Sequence, residues 1–379
     1  MIYLNQAATS YPKPQCVLDA FNEYMNGIPG GQMRSSVAAE SGDVMNDCRK
    51  SLGKLLGVSA WNRIFFTSGA TESANLLIQG MDWTGYHVFV TQTEHNSILR
   101  PVMNHPALAG RVHVIPCDET GYVSAQAVEH AIQGKQGMVI VNHCSNVTGT
   151  IQPVREIAEA ARQNGCLVAV DASQSAGCIP VSTDDWGADA LVFTGHKSLM
   201  GLTGTGGLYV RPGLEIRPLK FGGTGTDSRK LQYGPGEYEY EPGTQNLAGI
   251  AALKAGVDEI LSIGTEVIHA KEQEEMDWLW NALAALPGVC LYGPAAGTDR
   301  GPVLSFNFEK LSASDAAYIL NEAYHIIIRT GLHCAPLIHE AIGSGRYGTL
   351  RISISRLTTH KELETFAEAV GEISRSLET

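Results

Sequence analysis

Between Ile64 and about Val210 the chain repeats one pattern: a short apolar run, a turn of small polar residues, then a stretch long enough for a helix. The apolar runs are Ile64–Thr67, His87–Thr91, Val112–Pro116, Met138–Asn142, Leu167–Asp171, Ala190–Thr194 and Gly207–Val210. That alternation is the signature of successive βαβ units, so an α/β fold with a large, seven-stranded, mostly parallel sheet is expected. Between the runs, Pro153 to Ala161 has helical periodicity, with proline placed for a first turn and Gly165 beyond the end.

The pattern changes after residue 246. A stretch rich in Ala, Glu and Leu reaches Leu286 and reads as one or two helices. Beyond it, strand-like runs (Val303–Phe308, Ile326–Arg329, Leu350–Ser355) alternate with helical ones (Ser314–Ala323, Lys361–Leu377), which indicates a smaller α+β C-terminal domain. A length of 379 residues fits two domains. The expected division is 15–250 for the large domain, with 1–14 and 251–379 forming the small one.

Composition removes several classes of function. A net charge of −12 opposes the phosphate attraction on which general nucleic-acid binding depends, so no nucleic-acid partner is expected. No run of about 18 apolar residues is present, and Met1–Gln6 lacks the basic and apolar regions of a signal peptide. No membrane association and a cytoplasmic location are expected. The eight cysteines form no Cys-x-x-Cys pair, which indicates neither a zinc site nor a disulfide framework.

In an open α/β sheet, ligands bind beyond the carboxyl ends of the strands. Polar residues gather there: Thr67–Glu72, Thr93–Asn96, His143–Asn146, Asp171–Gln174 and Thr194–Lys197. Ser68-Gly69-Ala70-Thr71 ahead of a helix can cradle an anion, although the same pattern serves as an ordinary cap with Thr71 as the capping residue. Asp171 closes an apolar strand, where an ionised carboxylate needs a partner such as a protonated ring nitrogen; a helix cap is the plainer reading. Lys197 stands in a glycine-flanked turn, where desolvation depresses an amine pKa and favours imine chemistry. Gly201–Gly207 is glycine-rich but precedes a strand instead of following one, and no acidic ribose partner is evident, so a dehydrogenase loop is rejected.

Taken together, Thr67–Glu72, the His95 segment, Asn146, Asp171–Gln174 and Thr194–Lys197 resemble the class V aminotransferases, and among them the cysteine desulfurases. The resemblance starts at Tyr3–Ser10 and runs through Glu241–Asn246 to Arg329-Thr330-Gly331-Leu332-His333-Cys334-Ala335 and Leu350-Arg351. It implies fold type I and pyridoxal 5'-phosphate as cofactor. Lys197 would be the Schiff-base lysine, Asp171 the partner of the pyridinium nitrogen, Gln174 the partner of the phenolic oxygen, and His95 a ring-stacking residue that shares in catalysis. Ala70, Thr71, Thr194 and His196 fall at phosphate-binding positions. Thr244 matches a residue that reaches the phosphate of a neighbouring subunit, which implies a homodimer with a shared site.

The resemblance further places Asn146 and Arg351 at the substrate carboxylate and makes Cys334 the persulfide-carrying nucleophile, in the Arg-x-Gly-x-His-Cys-Ala form of the second desulfurase subgroup. The implied reaction converts L-cysteine to L-alanine and leaves sulfur on Cys334, for later transfer to a thiol or protein acceptor. The neighbours of Cys334, a glycine, His333 and Arg329, suit a thiolate. Two positions depart from the family pattern: Leu332 stands where the subgroup has histidine, and Gln6 where Asp, Asn or Ser is more familiar. The alternatives are selenocysteine lyase, another pyridoxal-phosphate-dependent lyase or aminotransferase of class V, and a catalytically idle scaffold that binds a sulfur acceptor.

Overall fold

The computed structural model describes residues 1–27, 43–223, 229–234, 237 and 239–378. Its strands are β1 (Ile2–Tyr3), β2 (Ile64–Thr67), β3 (His87–Thr91), β4 (Val112–Ile115), β5 (Gly137–Asn142), β6 (Leu167–Asp171), β7 (Ala190–Thr194), β8 (Gly206–Val210), β9 (Val289–Tyr292), β10 (Val303–Phe308), β11 (Ile326–Ile327), β12 (Arg329–Gly331) and β13 (Thr349–Ser353). Seven of them form one sheet in the order β2-β8-β7-β6-β5-β3-β4. Only β8 runs against the direction shared by the other six strands of that sheet. The sheet expected from the repeated apolar runs is therefore present, and mostly parallel.

The central strands β5, β7 and β8 are buried along their whole length. Burial on both faces is what continuous apolar runs require. Val139, Val141, Val168, Val170, Leu191 and Phe193 enter one core, packed by the helices Val44–Leu55, Val154–Gln163 and Leu247–Ile263. Met138, Ile140, Ala169, Ala190 and Val192 enter the other, under the helices Ala70–Gly80 and Asn96–Met103. Successive residues of each strand supply opposite cores, as the two-residue period of a strand dictates.

The chain turns from β3 outward to β4 and then returns to the other side of β3 as β5, so the strand order reverses between β3 and β5. Such a reversal opens a crevice at the carboxyl ends of the strands. Here those ends carry Thr91 to His95 and Asn142 to Asn146. A second, antiparallel sheet in the order β12-β13-β10-β9 encloses a third core, which includes Leu4, Leu304, Phe306, Ile352 and Phe366.

Two details differ from expectation, and a third resolves the choice between one helix and two. The run Ile326–Arg329 is two strands: β11 pairs in parallel with β1, and β12 pairs antiparallel with β13. The cause is the amino-terminal segment, which arrives from more than three hundred residues away to pair with Ile326 and Ile327. β9 follows the Leu286-Pro287-Gly288 stop, too short and too evenly half-buried to announce itself as a strand. The stretch after residue 246 is two helices, Leu247–Ile263 and Thr265–Ala284, parted at Gly264, whose φ of 92° is a conformation glycine adopts freely.

Gly137 opens β5 where that strand runs beside the amino end of β3, opposite His87. A Cβ there would lie 1.9 Å from the carbonyl oxygen of His87, a backbone atom that cannot swing aside. Gly137→Ala should destabilise the protein by about 3 kcal/mol or more, in the upper range for a clash in a packed core. Denaturant unfolding of the variant, compared with Gly223→Ala, checks this: nothing lies within 4 Å of a Cβ on Gly223, and its φ is not positive.

Candidate active site

At the carboxyl rim of the large sheet lies a cavity of about 310 Å³. One wall is the start of the helix Ala70–Gly80, which follows β2 directly through Gly69, with φ 149° and ψ 176°. That conformation is nearly confined to glycine, and it aims the first helical turn at the cavity. Gly206 of β8 makes room, since a Cβ there would fall 2.6 Å from the Gly69 Cα. Gly69 is the N-cap and Thr71 lies inside the first turn, so the capping role open to Thr71 in the sequence is not taken. Among the described residues no acceptor meets the amides of Ala70, Thr71 and Glu72.

Around this helix start the oxygens of Ser173 and Thr194 and Nδ1 of His196 are buried without hydrogen-bond partners, and all three residues line the cavity. Burial, with the nearby Lys197 and Lys13, pushes the His196 pKa down to about 4, so the ring is a neutral donor at pH 7. Orphaned donors facing a helix amino terminus make an anion cradle that suits a phosphate. The residues present fit the phosphate end of pyridoxal phosphate.

Deeper in, Lys197 follows β7 through Thr194-Gly195-His196 and lines the cavity with Asp171 at the end of β6. Burial lowers the Lys197 pKa to about 8; Asp171 opposes that shift, and Arg351 and Arg329 add to it. A lysine so placed holds a substantial free-amine fraction near neutral pH, which imine formation needs. Asp171 is buried, and its Oδ1 accepts from the Ser173 amide at 2.9 Å. Gln174 lines the cavity while its amide nitrogen donates to the Ala7 carbonyl at 3.2 Å. His95 both caps the helix Asn96–Met103, accepting from the Ser97 amide at 3.0 Å, and faces the cavity. Burial, with Lys197 and three arginines nearby, holds its pKa near 3, so its ring is neutral.

The opposite wall comes from the second sheet. Arg351 of β13 and Arg329 of β12 are directly paired across the strands, and both line the cavity. Like charges in facing positions repel, and the pair calls for an anion between them. Arg351 is fully buried, and its bonds go to neutral oxygens: the Asn146 carbonyl at 2.9 Å and Asn5 Oδ1 at 3.1 Å. Its Nε has no partner, and burial lowers its pKa to about 9. Asn146 in turn donates to the His333 carbonyl at 2.7 Å.

Cys334 stands at the edge of this wall in a turn where Gly331, His333 and Cys334 all have positive φ. Its thiol accepts from Arg329 at 3.4 Å, and its carbonyl accepts from the Asn96 amide at 2.6 Å. A left-handed conformation at two successive non-glycine residues is strained, and anchoring from the large sheet's loops sustains it. Thr244 lies apart, in a second cavity of about 180 Å³ that shares Ser68 and Glu72 with the first.

The departures have local explanations. Gln6 holds Tyr11 through both ends of its amide, donating to the Tyr11 carbonyl at 2.6 Å and accepting from its N–H at 3.0 Å. Leu332 points outward at 37% exposure, clear of the cavity. Three groups are not singled out in the sequence as ligand contacts: Arg329, read there only as a neighbour of Cys334, and Ser173 line the cavity, and Glu94 is wholly buried outside its lining. Arg329 could have been found as a second basic residue facing Arg351, Ser173 as a hydroxyl beside Asp171, and Glu94 as a carboxyl next to His95.

Glu94 is wholly buried, accepting at one oxygen from Thr91 Oγ1 and the Asn142 amide, both at 2.7 Å. Burial raises its pKa to about 8, and the negative charge of Asp171 adds to the rise. The folded-state value lies above the ordinary one, so its contribution to stability is full in acid. That contribution declines between the ordinary 4.5 and about 8, and is lost above. Glu94→Gln removes this dependence. Relative to wild type, the variant should gain stability as pH rises through that window, read from denaturant midpoints on either side of it; a constant difference would contradict the assignment.

A profile of the class V aminotransferase family matches residues 2–366. The chain is 31% identical over 384 residues to a probable cysteine desulfurase of Methanothermobacter thermautotrophicus, covering 98% of this chain and 94% of the relative. Its fold matches the apo structure of a cysteine desulfurase from Thermococcus onnurineus with a TM-score of 0.90 at 30% identity, covering 99% and 95% of the two chains. A cysteine desulfurase structure from Escherichia coli gives a TM-score of 0.88 at 26% identity, covering 99% and 94%. With an anion cradle, a desolvated lysine beside a strand-end aspartate, and a match across nearly its whole length, the chain belongs to the class V aminotransferase family.

Proposed function

We propose that this protein is a cysteine desulfurase that converts L-cysteine to L-alanine and takes the sulfur onto Cys334. The observation that carries this reading is the facing pair Arg329 and Arg351 in the wall of the Lys197 cavity, with Arg329 also donating to the Cys334 thiol just outside the cavity's lining. One arginine can hold a substrate carboxylate while the other donates to sulfur. The family generally depends on pyridoxal phosphate, which when bound supplies an electron sink for the charge left on the α-carbon. The amides of residues 70–72, Thr194, His196 and Ser173 would hold its phosphate. Asp171 would pair with its ring nitrogen, Gln174 with its phenolic oxygen, and the neutral face of His95 with the ring.

The chain's own residues divide the work. Arg351, with Asn146, fixes the substrate carboxylate and so decides which bond of the α-carbon is activated. The Lys197 amine, held near pKa 8, takes the α-proton. The Cys334 thiolate, beside Arg329, attacks the substrate sulfur: an S–S bond forms, the C–S bond breaks, and its electron pair stays on the substrate carbon, which is protonated to alanine. The persulfide then passes to a thiol or a protein acceptor.

Further parts of the proposal concern assembly. Thr244 lies away from the main cavity and suits a role in a neighbouring subunit's site, so a homodimer is proposed, in the cytoplasm. No helix among the described residues is long and apolar enough to cross a membrane. The division into 15–250 and 1–14 with 251–379 is proposed too. The packing of Leu247–Ile263 on the large sheet's core favours moving the junction to Gly264.

Cys334→Ser should keep cofactor and substrate binding, seen as unchanged absorbance shifts on adding L-cysteine, while alanine production falls at least about a hundredfold, because a neutral hydroxyl is a poor nucleophile. Alanine formation at a rate near wild type would overturn the persulfide route. Loss with cysteine but not with selenocysteine would instead favour a selenocysteine lyase.

A further inference from the structure

The turn that carries Lys197 is held from outside by the amino-terminal segment. The carbonyl of His196 accepts from the Ser10 amide at 2.9 Å, from Ser10 Oγ at 3.0 Å, from Thr9 Oγ1 at 3.2 Å and from Lys13 Nζ at 3.3 Å. Lys13 Nζ also donates to the Gly201 carbonyl at 2.6 Å and to Ser10 Oγ at 2.7 Å. We propose that Lys13 is a positioning residue for Lys197, its ammonium pinning the carbonyls on either side of the turn from His196 to Gly201. The inference rests on the reading of Lys197 as the residue that bonds the cofactor.

The inner side of that turn has no slack. A Cβ on Gly195 would meet Thr205 Oγ1 at 2.1 Å, and one on Gly201 would meet Leu253 Cδ1 at 2.9 Å. The turn is closed on itself by bonds from Met200 N–H to the Lys197 carbonyl and from Gly201 N–H to the Gly195 carbonyl, each 2.8 Å, with Met200 at φ 60°. Packed so on the inside, it can relax only outward, where Lys13 sits.

An ammonium has three donors, and three neutral oxygens take those of Lys13. Burial pushes its pKa down to about 8, and no carboxylate offsets that cost. A lysine that served only solubility would lie in water, and one that served only stability would be better paired with an acid. Here the energy of desolvation is spent on holding two carbonyls that flank the reactive lysine. Lys197 has a long flexible chain, so its amine reaches one carbon atom reproducibly only if its Cα is fixed.

The test compares wild type, Lys13→Met and Lys13→Arg, each loaded with pyridoxal phosphate. Total cofactor retained, the fraction fixed to Lys197 by borohydride, and kcat and KM with L-cysteine are measured, beside the melting temperature of the cofactor-free proteins. Since an ångström of misplacement can cost up to about a hundredfold, Lys13→Met should retain cofactor but lose about tenfold in kcat, with KM little changed. The borohydride-fixed fraction should fall well below wild type, and Lys13→Arg should restore much of both. An undiminished fixed fraction with wild-type kcat, or a parallel loss of cofactor retention and melting temperature in all forms, would overturn it. Should Lys13→Met fail to fold, the Ser10→Ala, Thr9→Val double variant must show the same loss in lesser degree. If wild type itself fixes no cofactor on Lys197, the reading of the site falls and the inference with it; a normal wild type with an unaffected Lys13→Met defeats the inference alone.

Discussion

A fully buried guanidinium without a carboxylate is expensive, and Arg351 is such a group. It reaches from the second sheet to the Asn146 carbonyl beyond β5 and to Asn5 in the amino-terminal segment, tying three distant parts of the chain around one cavity. Hydrogen bonds to neutral oxygens meet only part of its demand, since Nε remains unpartnered. On the proposed reading, the carboxylate of the substrate would supply the rest. Arg329 opposite adds to the case, because two cations in facing positions repel, and a bound anion would relieve that repulsion.

Electrostatics then sort the site into two ends. At the helix start, amide dipoles and neutral donors await one anion; at the second sheet, two full positive charges await another. Between them burial and those same arginines lower the Lys197 pKa to about 8, while Asp171 works against the shift. His95, His196 and His333 are all pushed to the neutral form, so none adds to the positive charge. On the proposed reading, the cofactor phosphate would lie at the first end and the substrate carboxylate at the second.

The large sheet was legible because its strands are buried on both faces, so each announces itself as an apolar run closed by a polar residue. Asp171 and Thr194 stand where those runs stop, which is why part of the polar lining of the cavity could be read from the sequence. Contacts between residues remote in the chain could not be read. β11 is separate from β12 only because residues 2 and 3 pair with it, and the partnership of Arg329 with Arg351 depends on the register of two strands twenty residues apart. Glu94 and Lys13 look like ordinary surface charges in sequence. One is sealed beneath the strand ends, the other locked on the turn of Lys197, by segments that no local pattern connects to them.

The central claim, that cavity and thiol act together as a desulfurase, is tested most directly by following the sulfur. The cofactor-loaded protein is given one equivalent of L-cysteine without any thiol acceptor, digested, and searched by mass spectrometry for the cysteine that has gained a sulfur atom. Of the eight free cysteines, Cys334 alone should carry it, in amounts matching the alanine formed. Sulfur released as free sulfide with Cys334 unmodified, or found on another cysteine, would contradict the account.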